Sequence, residues 1–405
     1  MNADNFPFAQ ARTTLLASLI IVGMGFSVLF PLLAPLGRQL GLSEFQTTSI
    51  IAASSLTVFL SAPLWGRLSD RWGRKKVILI GLFGFSAGTV LFNTVLTLGI
   101  NGWLVGLPLY FALVLTRIMH ASVMSAAMPA SNAYMADITD IKSRTRGMAA
   151  AGAANNFGAI MGPALAGLAV LSLLSPLWIM AAVAFLNGLF ILRFLPDPPR
   201  QQNIVGNRKR MKYTDRRILP FIIVGVAMFS GFALVQQTMG FRFQDALNLS
   251  TGDTAKTFGL AMMLSAACSL ATQTLIVQRL ELAPFTLLKL AIPLLILAFS
   301  LMASFNTQWM LTFAMMIQGM GMGLAGPGFM AGASLSVSPQ EQGAVAGVAS
   351  ACGPLGFTVG PLVGGALYQI SPVLPYAFAA CMYVVLFLCM QWLGRRVTTH
   401  SEDEA

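Results

Sequence analysis

Two short stretches of the sequence hold residue types suited to ion pairing or proton transfer. The first, GRLSDRWGRKK from Gly66 to Lys76, places five cations, one acid and two glycines in eleven residues, with apolar sequence on both sides. Asp70 and Arg74 stand four residues apart in it, and a later stretch, YMADITD, adds Asp137 at the end of an apolar run. The second, LTRIMHA, puts Arg117 inside an apolar run and His120 three residues on, one turn along the same helical face. An imidazole changes charge near neutral pH. His120 is therefore a candidate proton carrier, with Asp137 as the other candidate and a hydrogen-bonded packing role as the plain alternative.

Other chemistries find no support. No nucleophile–base pair, paired carboxylates or metal-ligand cluster occurs at useful spacing, so neither an enzyme nor a metal site is expected. Cys268, Cys352, Cys381 and Cys389 fall singly in apolar runs and read as small packing residues. No Gly-rich phosphate loop is present, and no cofactor is implied. All fourteen Asp and Glu fall near the ends of apolar runs, in loops or at the termini, the nearest to apolar sequence being Glu44, Asp137, Asp245, Asp253 and Glu341.

The elements that carry these residues follow from composition. The chain is 56% hydrophobic and 10% charged, with a mean hydropathy of +0.74, far from the roughly quarter-charged make-up of soluble domains. Apolar runs of about 20 residues, enough to cross a hydrocarbon core as a helix, occur twelve times. Their cores lie near 13–35, 45–65, 77–98, 104–134, 147–173, 176–195, 218–240, 255–277, 285–304, 308–334, 342–369 and 373–393. The runs are too long for barrel strands and lack their alternation, so an all-α membrane protein of twelve transmembrane helices is expected. The first run follows MNADNFPFAQAR without a small-residue cleavage site and reads as a retained span.

Positive residues stay cytoplasmic. With the N-terminus inside, inner segments hold 21 of the 25 Lys and Arg, outer loops hold Arg38, Arg242 and Lys256, and Arg117 alone lies within a span. Both termini are therefore expected in the cytoplasm. The net charge of +11 reads as a topology signal and an attraction to anionic lipid, not as a nucleic-acid surface. An ionised Arg at membrane depth costs at least about 2.5–3.5 kcal/mol. Arg117 should thus face a central cavity, hydrogen-bond to neighbouring backbone or tie two helices.

The longest polar interruption, RFLPDPPRQQNIVGNRKRMKYTDRR, Arg193 to Arg217, separates six spans from six. The expected divisions are an N-terminal half, 1–195, a cytoplasmic linker, 196–217, and a C-terminal half with a short tail, 218–405. A repeat supports them: GAIMGPALAG from Gly158 matches GFTVGPLVGG from Gly356, 198 residues later. Duplicated six-span halves around a midplane site are a transporter architecture.

GRLSDRWGRKK resembles the signature of the major facilitator superfamily, with Gly66, Asp70, Arg71, Gly73, Arg74 and Lys75 in the expected places. Arg117 stands where that family has an intramembrane Arg, although His120 and Ala121 occupy positions often held by Gln and Gly. GPALAG resembles the Gly-Pro antiporter motif of the twelve-span drug:proton antiporter branch. The resemblance implies that Asp70, Arg74 and Asp137 form a charge network holding the cytoplasmic side closed, with Gly66 and Gly73 allowing close helix approach and a tight turn. The matching loop of the second half, VQRLELAPFTLLK, lacks the motif, so the latch is expected on one side only. Gly158, Gly162, Pro163 and Gly167 are expected to pack and gate.

A substrate cavity is expected to draw on Arg117, Asn155, Asn156, Gln236, Gln237 and Gln318, within an interior rich in Met and Phe. The function expected is proton-driven export of small amphipathic organic molecules, drugs or an endogenous product such as a siderophore, by alternating access. Import of a nutrient or metabolite is the alternative. Many proton-coupled relatives carry an acid in the first span, where LLASLIIVGMGFSVLFPLL has none; the lack of a buried acid argues against a specialised cation pump, and Arg117 with His120 is compatible with neutral or anionic cargo. The expected partners are a small-molecule substrate, protons and membrane lipids, with no nucleic acid, and the expected form is a monomer in the bacterial inner membrane.

Overall fold

The computed structural model describes residues 7–139, 141–170, 172–197, 215, 217–280, 282–338 and 341–402. All regular secondary structure among them is helical. The helices are α1 (Phe8–Ser27), α2 (Phe30–Gln39), α3 (Glu44–Trp72), α4 (Arg74–Ile100), α5 (Gly106–Met124), α6 (Ala127–Asp137), α7 (Ile141–Met161) and α8 (Ser175–Phe194). They continue with α9 (Leu219–Leu247), α10 (Thr251–Thr272), the short α11 (Gln278–Leu280), α12 (Pro284–Ser304), α13 (Gln308–Leu335), α14 (Gln342–Ile370) and α15 (Leu374–Glu402).

Among the described residues, ten helical segments are long and apolar enough to cross a membrane. The expectation of twelve also counts α7 with its continuation and α13, neither of which is among the ten; the cations, Gly and Asn of α7 lower its hydropathy. The expected linker lies mostly outside the described residues.

Three prolines stand at breaks or changes in the helices. A proline has no N–H for the carbonyl four residues back and clashes with it. Pro31 therefore interrupts the ladder at Ser27, the last residue of α1, and Pro129 interrupts it at Ser125, just past α5. Pro163 sits where α7 gives way to a 3₁₀ run over Gly162–Val170, far longer than the usual three or four residues. At the start of α3, Ser43 and Gln46 form a capping box: Ser43 Oγ accepts from Gln46 N at 3.2 Å, and Gln46 Oε1 accepts from Ser43 N at 2.9 Å.

The chain divides into two compact units. The first spans Met1–Asn207 and takes in Met239–Gln244 and Leu249–Met263; the second spans Arg208–Thr238, Asp245–Asn248 and Leu264–Ala405. In the first, α1 packs on α7 and α8, and α4 on α5, α6 and α8. Its buried residues form one cluster around Leu32, Phe92 and Leu113 and another around Leu15, Ile78 and Tyr134. In the second, α12 packs on α13 and α15, and α14 on α13 and α15.

Candidate functional site

The charged turn is built on one residue. Gly73 alone joins α3 to α4, at φ +98°, a conformation open to glycine and strained for other residues. It swings Arg74, the first residue of α4, between the ends of two other helices. Arg74 Nε donates to Asp137 Oδ2 at 2.9 Å, at the end of α6, and Nη1 donates to Ser69 Oγ at 2.7 Å and pairs with Asp70 at the end of α3. Ser69 Oγ in turn donates to the Gly66 carbonyl at 2.7 Å.

The side chains differ in exposure: 12% for Arg74, 22% for Asp137 and 49% for Asp70. Asp137 is thus the better shielded partner. Lys75 Nζ reaches the Leu192 carbonyl of α8 at 3.0 Å, while Arg71 is exposed. Gly66 makes no close approach: no atom lies within 4 Å of where its Cβ would stand. The tight turn belongs to Gly73. Ser69 was missed in the sequence because a serine among five cations carries no signal of its own.

Deeper in the unit, Arg117 Nη1 lies 2.8 Å from His120 Nδ1, Arg117 Nε donates to Ser54 Oγ at 3.2 Å, and the guanidinium stands 5.3 Å from the centre of the Phe92 ring. A guanidinium only donates, so Nδ1 accepts and His120 is neutral with its proton on Nε2. That Nε2 is buried without a hydrogen-bond partner. Arg117 therefore meets side chains rather than backbone.

Room for His120 comes from α4, where a Cβ on Gly88 would stand 2.6–2.8 Å from the imidazole carbons and Cβ of His120. Gly81 and Gly84 meet Ala127 and Val123 in the same way. The spacing of Gly81, Gly84 and Gly88 is a small-residue stripe, a signal legible in the sequence that the expectations above did not use.

The Gly-Pro motif binds helix to helix. A Cβ on Gly158 would collide with the Ile20 carbonyl of α1, and one on Gly162 with Ser27 Oγ; Gly23 meets the Asn155 carbonyl in return. Gly167 has no atom within 4 Å. The repeat makes the same kind of contact in the second unit, where Gly356 meets Phe229 and Gly360 the Ser230 carbonyl of α9.

A cavity of about 430 Å³ opens within the first unit. Phe26, Phe85 and Met124 contribute to its apolar wall, and Asn132, Asn155 and Asn187 supply amides. Of the residues expected in a substrate cavity, Asn155 lines it; Arg117, Asn156, Gln236, Gln237 and Gln318 do not. Arg117 is held away by Ser54, His120 and Phe92, and Asn156 is exposed. Phe85 links the two sites: it lines the cavity, and its ring meets the His120 ring edge-on at 5.0 Å.

In the second unit, Gln237 and Gln318 are 3% and 1% exposed, and both polar atoms of Gln237 and Nε2 of Gln318 are without hydrogen-bond partners. A separate charge tie, outside the loop that matches the charged turn, lies on the exposed surface of the second unit. Ahead of α9, Arg217 donates to both Glu341 carboxylate oxygens, at 3.0 and 3.1 Å, and also pairs with Asp215. Glu341 precedes α14, so the tie joins the starts of two helices with residues outside the repeated motif. Hydrogen bonding to Arg217 holds the Glu341 carboxyl down at about 2 and lowers Asp215; the same bonds raise Arg217.

Apolar helices bent at prolines, packed glycine against backbone around a cavity, with charges tied at helix ends, describe a multi-pass membrane transporter. The chain belongs to the Major Facilitator Superfamily, whose family model matches residues 15–305 and 289–405. It is 28% identical to multidrug resistance protein 2 of Bacillus subtilis, over 94% of this chain and 95% of that protein. It is 22% identical to the quinolone resistance protein NorA of Staphylococcus aureus, over 89% of this chain and 91% of that protein. It is thus a secondary transporter related to bacterial efflux proteins. Two crystal structures share its fold: the human organic anion transporter MFSD10, with a TM-score of 0.66, 20% identity and 95% and 100% of the two chains covered, and the nucleoside transporter NupG, with 0.73, 16%, 95% and 98%.

Proposed function

We propose that the protein exports small amphipathic organic molecules in exchange for protons, by alternating access. The observation that carries this reading is the part-buried Arg117–His120 contact, separated by one aromatic ring from an apolar cavity. Its background is the likeness to multidrug resistance protein 2 over 94% of the chain. Nδ1 of His120 accepts from Arg117, so a second proton enters the imidazole only if the guanidinium lets go. Proton uptake thereby moves Arg117, the ring and Phe85 together, and solute and proton compete for one arrangement of the cavity wall.

In this reading the chain crosses a bacterial inner membrane twelve times, in two six-helix halves, 1–195 and 218–405, joined by a cytoplasmic linker. Both termini lie inside, as the distribution of 21 of 25 cations favours, and the monomer is the working form. Gly66, Asp70, Arg71, Gly73, Arg74, Lys75 and Asp137 form the cytoplasmic gate. Gly158, Gly162, Pro163 and Gly167 form the bending element of the fifth span.

Direction is the test. Expressed in a bacterial host stripped of its own exporters, the protein should lower the steady-state content of at least one dye from a panel of neutral, cationic and anionic fluorophores, and collapse of the proton gradient should restore it. Raised content on expression would instead establish import and overturn the proposal.

A further inference from the structure

The cavity of the first unit joins an apolar-walled volume to a buried acceptor with nothing to accept. Its about 430 Å³ falls in the lower part of the range for small-molecule sites, about 300–1,000 Å³. The polar side chains around it are Ser125, Asn132, Asn155 and Asn187, and none of its lining residues is charged. Asn187 is 2% exposed; its Nδ2 donates to the Ser18 carbonyl at 3.4 Å, while its Oδ1 has no hydrogen-bond partner. Buried acceptors are ordinarily satisfied, and a donor on a bound solute would satisfy this one.

We infer, resting on the exporter reading above, that this cavity selects uncharged lipophilic solutes carrying a hydrogen-bond donor, which Asn187 Oδ1 accepts. A cation entering it would lose its hydration with no carboxylate in the wall to compensate. It would also stand behind Phe85 from the Arg117 guanidinium and the His120 ring. An anion would find no cation in the wall, because Arg117 is held by Ser54, His120 and Phe92. A neutral aromatic body loses nothing by either count: Phe26, Phe85 and Met124 take its faces and the amides orient its polar end.

The test uses the purified full chain and three probes on one skeleton: naphthalene-2-carboxamide, 2-naphthoate and 2-(trimethylammoniomethyl)naphthalene. Binding is measured by equilibrium dialysis against matched detergent. The carboxamide should bind about tenfold or more tighter than either charged probe, and Asn187→Leu should weaken it about tenfold, the effect of one lost hydrogen bond. Asn187→Asp should turn the preference towards the trimethylammonium probe. If neither variant is recovered folded, the wild-type ranking decides alone.

A charged probe that binds as tightly as the carboxamide, or no binding of any probe, overturns the inference. Binding is read without a gradient. The expected ranking in a protein that fails to export would sink only the exporter reading, whereas an active exporter with the opposite ranking would sink only the cavity assignment.

Discussion

Asp137→Asn should slow turnover far more than Asp70→Asn, although both residues hold the same arginine. Arg74 is 12% exposed and donates Nε to Asp137, itself 22% exposed, at 2.9 Å, a charge-assisted bond in a shielded place. Such bonds contribute about 1.5–3 kcal/mol; the remaining exposure and the surviving partners Asp70 and Ser69 favour the lower end, about 1.5 kcal/mol, or roughly tenfold in a two-state balance. Asp70 is 49% exposed, so its pair is screened and contributes about 0.5 kcal/mol, roughly twofold. The assay is a pair of double-mutant cycles, Arg74→Ala with Asp137→Asn and Arg74→Ala with Asp70→Asn. Each is read as solute-driven proton flux in proteoliposomes at saturating solute, with solute affinity measured in detergent. Affinity should stay within about twofold throughout, because none of the three residues lines the cavity. Equal couplings in the two cycles, or a larger one at Asp70, would refute the argument from shielding.

Gly88→Ala should push the imidazole carbons of His120, which stand 2.6–2.8 Å from the new Cβ, at an overpacking cost of about 1–3 kcal/mol; proton flux should fall in proteoliposomes while solute affinity in detergent holds. Arg117→Gln should likewise uncouple without loss of affinity, since Arg117 is outside the cavity wall, and a large loss of binding would contradict that placement. Gly158→Leu should sharply lower recovery of folded protein because its side chain meets the Ile20 carbonyl, whereas Gly167→Ala, with open space around it, should be recovered like wild type. The Arg217–Glu341 tie should depend on pH in one direction: a carboxyl held at about 2 against an ordinary 4.5 contributes fully above the ordinary value and loses that contribution as pH falls towards 2. The difference in thermal midpoint between wild type and Glu341→Gln should therefore be flat from about pH 5 to 8, shrink below it, and weaken with salt at every pH.

The helices were legible because hydrocarbon leaves the backbone no other choice, and among the described residues ten of the expected runs coincide with helices long and apolar enough to cross a membrane. Breaks were legible only in part: Pro163 marks a change of helix type and Pro31 and Pro129 stand four residues past a break, but Pro35, Pro63, Pro293, Pro327, Pro354 and Pro361 lie within continuous helices. Side-chain geometry was less accessible. The Arg117–His120 contact follows from a spacing of three, but Ser54 reaches Arg117 across 63 positions, and nothing local announces it. Asn187 and Phe85 read as one polar and one aromatic residue among many apolar neighbours; only the folded unit puts both on one cavity. The tie at Arg217 was missed because its glutamate lies 124 positions away, outside the motif that made the first charged turn conspicuous.

The most direct measurement is internal pH in proteoliposomes carrying the purified protein under an imposed proton gradient, with neutral, cationic and anionic solutes added in turn, for wild type and His120→Gln. The account predicts proton flux that depends on solute in the wild type and disappears in the variant. Flux unchanged by the substitution, or solute movement with no proton flux at all, would contradict it.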